Sequence, residues 1–153
     1  MTTNTIAYST KITYSKLIMN REYGKNSQNI FLNMCESFGW DKTQKDCFRW
    51  GNSLCAEYAD TERKRDVWFI SKPNYNLKLV HVQDNENKPI DTILDDGDSI
   101  REQIPSSYCP DHNVERIVFA RNANGKYVFM GIYHCDAGNY VRMWHRIATE
   151  YPL

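Results

Sequence analysis

The stretch from Glu115 to Ile147 constrains the fold of this chain more than any other. Three runs rich in β-branched and aromatic residues, E-R-I-V-F-A-R, Y-V-F-M-G-I-Y-H-C and Y-V-R-M-W-H-R-I, are separated by N-A-N-G-K and D-A-G-N. Asn124-Gly125 is a strong hairpin signal, because two-residue β-turns need backbone angles that Gly and Asn adopt cheaply. Asp136-Ala137-Gly138-Asn139 makes a second turn for the same reason. The stretch predicts a three-stranded antiparallel meander. In its last strand a period of two puts Tyr140, Arg142, Trp144 and Arg146 on one face, and Val141, Met143, His145 and Ile147 on the other. The first face is an aromatic-basic stripe and the second reads as mostly core.

The rest of the chain supplies further strands and a few helices. Residues 4–19 read as an edge strand or a short helix, with the alternation favouring β. Ser27 as N-cap, Ile30, Phe31, Met34 and Phe38 at helical spacing, and Gly39 just past the end predict a helix. Phe38-Gly39-Trp40-Asp41 and Phe48-Arg49-Trp50-Gly51 look alike, and predict two aromatic anchors at a helix–turn–helix corner. A second helix is expected over Asn52–Ala59, then a charged connector over Thr61–Asp66. Val67–Ile70 reads as a buried strand stopped by Pro73, and Leu77–Val82 as another. Asp95-Asp96-Gly97 is a turn, with Asp98 or Ser99 capping a short helix toward Gln103. Pro110–Asn113 loops into the meander. These elements predict one α+β domain over residues 1–153. It would be mainly antiparallel, with two or three short helices and room for a partly closed β-barrel.

Charge bounds the function. The chain has 153 residues and a formal net charge of zero, distributed as +4 over residues 1–82, −6 over 83–111 and +2 over 112–153. A neutral total excludes a strongly electrostatic, sequence-blind nucleic-acid binder but leaves room for a local basic face. Five Cys with no C-x-x-C pair, no leader-like opening and no apolar run of membrane-span length predict a cytoplasmic protein with reduced thiols and no membrane partner.

Interleaved aromatics and arginines are what a nucleic-acid platform needs, since planar rings stack on bases while guanidinium groups grip phosphate or stack as well. On that reading Tyr140, Arg142, Trp144 and Arg146 form the contact face. Tyr133 and Trp68 stand as pocket walls, and Gly131 leaves a hollow between Phe129 and Tyr133 for a flat ligand. The alternative is an ordinary half-exposed strand whose Arg stems cover a Trp ring. Other constellations are weaker. Cys109, His112, His134 and Cys135 suggest zinc, but adjacent strand residues point to opposite faces and a fourth ligand is missing. Asp91, Asp95, Asp96 and Asp98 lack the spacing of a calcium loop. Glu86-Asn87-Lys88 matches part of a nuclease core, with Asp66 as an upstream carboxylate, yet falls in a turn. No cofactor or metal is implied, and no catalytic triad, Walker loop or H-E-x-x-H argues for an enzyme.

Arg116–Arg121, Gly125–Tyr133 and Arg142–Ile147 together resemble the closing β-strands of PUA-like modules, the SRA-like and EVE-like ones of prokaryotic restriction systems included. The resemblance covers about a quarter of the chain and rests on strand texture and the hairpin, so no family site is carried over. It implies a small curved barrel that reads DNA or RNA, often by holding an everted, modified base between aromatics. Such readers are usually fused to a nuclease, whereas this chain shows none.

The function expected first is therefore a non-catalytic nucleic-acid-binding module. Its rival is a small protein-binding regulator or inhibitor of a defence or nucleic-acid enzyme. That rival would set the acidic segment 83–111, through Asp91, Asp95, Asp96 and Asp98, on a partner's basic groove.

Overall fold

The computed structural model describes residues 13–41, 47–50, 53–73, 91–94, 97–103, 115–135 and 141–152. Two strands, β1 (Leu17–Ile18) and β2 (Glu22–Gly24), precede the helix α1 (Ser27–Phe38). Then come β3 (Cys47–Trp50), β4 (Ser53–Asp60), β5 (Arg65–Ile70), β6 (Asp91–Leu94) and β7 (Ser99–Gln103). The chain closes on β8 (Glu115–Arg121), β9 (Tyr127–Cys135), β10 (Val141–Ala148) and β11 (Glu150–Tyr151).

The main sheet runs β3-β4-β5-β8-β9-β10-β7-β6, with β2 also paired to β9, while β1 and β11 form a small second sheet. All pairs are antiparallel except β5–β8, which is parallel. The meander is as the sequence predicts. β8 and β9 are joined through the Asn122–Lys126 turn, where Gly125 has φ +78°. β9 then pairs with β10; the turn expected over 136–139 lies outside the described residues. The expected Leu77–Val82 strand and Pro110–Asn113 loop lie outside them as well.

Two expected helices are strands instead. Residues 53–60 form β4 and residues 99–103 form β7. The reason is tertiary. All six residues of β5 are buried, so its backbone groups need strand partners on both edges, which β4 and β8 supply. β10 is likewise lined by β9 on one edge and β7 on the other. The helix–turn–helix corner is accordingly absent: β3 and β4 pair as an antiparallel hairpin. Arg65 and Asp66, expected in the connector, begin β5. α1 is the one α-helix among the described residues; its N-cap is Asn26, one residue before the expected Ser27, and Asn26 accepts from the Asn29 backbone N–H at 3.0 Å.

β5 and β8 alternate between two cores. Val67, Phe69, Ile117 and Phe119 join Leu17, Ile30, Met34 and Tyr151 under α1. Trp68, Ile70, Val118 and Ala120 join Ile93, Ile100, Tyr133 and Trp144 on the opposite face. That second face is concave. Trp68 of β5 and Trp144 of β10 have ring centroids 5.6 Å apart although β8 and β9 lie between their strands. In a flat sheet three strand spacings would separate them by about 14 Å. The sheet curls, but β3 and β6 end it and do not pair with each other among the described residues, so a closed barrel is not formed there.

Candidate functional site

The concave face gathers charged and aromatic groups around one guanidinium. Arg116, on β8, lies over the Trp68 ring at 4.6 Å and over the Trp144 ring at 4.2 Å. Its Nη1 donates to both carboxylate oxygens of Glu102, each at 3.1 Å. The Trp144 Nε1–H donates to Glu102 Oε1 at 3.0 Å, and Asp66 stands 3.7 Å from Arg116 Nε. Arg116 and its two acids are each at most 5 % exposed in their side chains, so all three charges sit where water cannot screen them. β8 presents Arg116 inward by strand alternation, next to Val118 on the same face. β7 presents Glu102 in the same way, next to Ile100.

The interactions are of the kind a nucleobase requires. A flat, delocalised group stacks against two indoles while a carboxylate accepts hydrogen bonds from its edge. The Trp68 Nε1–H is buried with no hydrogen-bond partner among the described residues, an uncompensated donor on the same concave face.

Beside this lies a second polar cluster. Arg146 donates from Nε to the Met130 carbonyl at 2.8 Å, from Nη2 to the Tyr133 hydroxyl at 2.9 Å and from Nη1 to Asp98 at 3.1 Å. The Tyr133 hydroxyl donates to the Gly97 carbonyl through a short hydrogen bond. The expected hollow at Gly131 is filled: the Ala148 carbonyl and the Arg146 side chain occupy the place where a Cβ would stand. The pairing register of β8 and β9 shifts at Val118/Phe119, which also breaks the simple alternation on β9. Phe129 and Tyr127 therefore face the α1 core, whereas Tyr133 faces the concave side.

Arg142, Trp144 and Arg146 of the predicted stripe share one face of β10, but that face points inward. Arg142 and Trp144 are fully buried, while His145 and Ile147 on the supposed core side are exposed. Arg142 lies 5.9 Å from the Trp144 ring. Tyr133 and Trp68 are also buried on the concave face with Trp144; Arg142 and Arg146 lie against the Trp144 and Tyr133 rings respectively, and Tyr140 lies outside the described residues. They are wall and support more than an open platform. Of the acidic residues, Asp98 is exposed and bound to Arg146, Asp91 is the first residue of β6, and Asp95 and Asp96 lie outside the described residues.

The fold has a solved counterpart. It is similar to the 5-hydroxymethylcytosine-specific restriction enzyme AbaSI. The two share 20 % identity at a TM-score of 0.52, over 89 % of this chain and 42 % of that one. This chain thus spans less than half the length of that protein. A likeness at this identity concerns fold alone, and it is consistent with the PUA- and SRA-like architecture that the strand texture resembles. No protein-family model matches the chain, and no curated protein matches it in sequence.

Arg116, Glu102 and Asp66, which organise the concave face, are absent from the expected contact set. The one local signal was an Arg at the head of an apolar strand, R-I-V-F-A. Nothing in the local sequence announces a carboxylate partner that arrives from another strand. Among the described residues no three His, Cys, Asp or Glu side chains are grouped to hold a metal ion. His134 is half-exposed and Cys135 buried, on opposite faces of β9, while Cys109 and His112 lie outside the described residues. No helix among the described residues is long and apolar enough to cross a membrane.

Proposed function

We propose that this chain is a non-catalytic nucleic-acid-binding module that reads a modified, everted base on the concave face of its sheet. The observation that carries the reading is the fold likeness over 89 % of the chain to an enzyme specific for 5-hydroxymethylcytosine. The chemistry of the concave face supports it, with two indoles, a carboxylate and the orphaned Trp68 N–H gathered in one place. In this reading Trp68 and Trp144 flank the base, with Tyr133 beside them. Glu102 and Trp68 Nε1–H read its edge, while Arg142 and Arg146 hold the walls, and Tyr140 is proposed as a further contact to the nucleic acid. Arg116 packs on both indoles, whose centroids are 5.6 Å apart, so a base enters between them only when the guanidinium withdraws and the two rings part.

The test is a titration of intrinsic Trp fluorescence with short duplexes carrying one 5-hydroxymethylcytosine, one 5-methylcytosine or only unmodified bases. The modified duplex is expected to bind more tightly, by a factor of about 10 or more for one well-made hydrogen-bonded contact. Trp68→Phe keeps an aromatic wall but removes the unpartnered N–H together with part of the indole. It is expected to lose part of that preference and, from the cavity left at a fully buried site, some stability, which the Tm reads separately. If no duplex changes the fluorescence or the anisotropy of a labelled probe even at low salt, the reading is wrong.

A further inference from the structure

The outer face of β7 and β10 carries an arginine without a counter-charge among the described residues. Ile100 and Glu102 point into the concave face, so alternation turns Ser99 and Arg101 outward. Arg101 stands opposite Met143 on β10, and Ser99 opposite His145. Ser99 Oγ and His145 Nδ1 are 3.2 Å apart, and His145 is itself opposite His134 on β9. Arg101 is partly buried, and its Nη1 is closed off from solvent with no hydrogen-bond partner among the described residues.

Other arginines show what this chain normally does with a sheltered guanidinium. Arg65 pairs with Glu115 at 2.7 Å, Arg116 with Glu102 at 3.1 Å and Arg146 with Asp98 at 3.1 Å. No carboxylate pairs with Arg101 among the described residues. Burial alone pushes its pKa below the usual arginine value, with no opposing charge to restore it. A guanidinium is a planar fork of donors suited to an oxyanion, and the orphaned Nη1 shows that this fork is not used up within the described residues. A serine hydroxyl and two imidazoles lie on the same surface.

We propose that Arg101, with the Ser99–His145 pair beside it, is a phosphate-contact site that takes one phosphodiester of a nucleic-acid backbone on the outer face of β7 and β10. The source of the phosphate rests on the nucleic-acid reading above; the anion site itself does not. It would position the duplex without reading sequence, because phosphate contacts fix register and orientation only.

The test compares wild type with Arg101→Gln and Arg101→Lys. Duplex affinity is measured against salt concentration, and pyrophosphate is titrated while the Arg101 Nε–H resonance is followed by NMR. Arg101→Gln is expected to weaken modified and unmodified duplexes by the same factor and to lower the salt slope by about 1, with Arg101→Lys restoring the slope. The Tm of Arg101→Gln should stay level or rise, since an unpaired, partly desolvated charge is removed; an arginine kept for packing would show a fall. If duplex binds and Arg101→Gln leaves the slope unchanged, this site is overturned while the nucleic-acid reading stands. Should pyrophosphate shift the resonance while no duplex binds, the anion site stands and the nucleic-acid source falls. If neither ligand is bound, both are overturned.

Discussion

The Tyr151 hydroxyl is buried and donates to Asp60, whose other oxygen accepts from the Arg63 backbone N–H at 3.1 Å. Burial, then the hydrogen bond to Asp60 and that residue's negative charge, push the Tyr151 pKa well above the ordinary tyrosine value. Burial raises Tyr14 as well. The folded state therefore holds these protons more tightly than the unfolded chain does. Stability is at its full value below the unfolded tyrosine pKa of about 10 and falls as pH rises beyond it. Urea midpoints measured between about pH 8 and pH 11 should drop at the alkaline end. Tyr151→Phe should start lower by roughly 1.5–3 kcal/mol, the usual worth of a hydrogen bond to a charged group, and then decline less steeply. Parallel declines in the two proteins would show that Tyr151 is not the titrating group. At this scale the sequence was informative about sides and silent about direction. Period two put Arg142, Trp144 and Arg146 together, but a strand with arginines on one face reads as wet on that face. The inward choice depends on carboxylates from elsewhere: Glu102 is 14 residues from Arg116 and 42 from Trp144.

β9 shows how one residue shapes an element. Pairing shifts register on its β8 edge at Val118/Phe119 and on its β10 edge between Arg146 and Ala148, and Gly131 sits between the two. Gly131 has φ +122°, and a Cβ there would meet the Ala148 carbonyl at 2.6 Å and Arg146 Nε at 3.1 Å. The first contact is backbone and cannot rotate away. Gly131→Ala is therefore expected to lower stability by about 2–3 kcal/mol, the upper part of the usual range for a strained backbone position. The same change should loosen hydrogen-exchange protection at the facing ends of β9 and β10. A change within about 0.5 kcal/mol, the range of a neutral surface substitution, would contradict the crowding. Elements with a local signature were legible: α1 from its periodicity and terminal Gly39, β8 and β9 from the hairpin, β5 from its apolar run. β4 and β7 were not. Ser53–Asp60 and Ser99–Gln103 are strands because neighbouring strands offer unpaired edges, and that requirement is invisible within either segment.

For the whole molecule the deciding fact is that two cores share the same strands. Phe69 and Ile117 serve the core under α1, while their chain neighbours Trp68 and Val118 serve the concave one. Neither core can come apart without pulling β5 and β8 out of the other, so unfolding should be all-or-none. Two probes separate the cores. The helical circular-dichroism signal follows α1, which belongs to the first core. Fluorescence of a Trp40→Phe, Trp50→Phe double variant follows Trp68 and Trp144 in the second, since Trp40 packs against Tyr151 and the α1 side and no other Trp is left. The two urea transitions should coincide in midpoint and steepness, and a separated pair would mean the cores are independent. The same sharing gives ligand binding a long reach. On the proposed nucleic-acid reading, a duplex bound at the concave face would stabilise the folded state by mass action, and with one cooperative unit it would raise both midpoints together. A ligand that moved only the fluorescence transition would place binding and cooperativity in different parts of the molecule, against the shared-strand architecture.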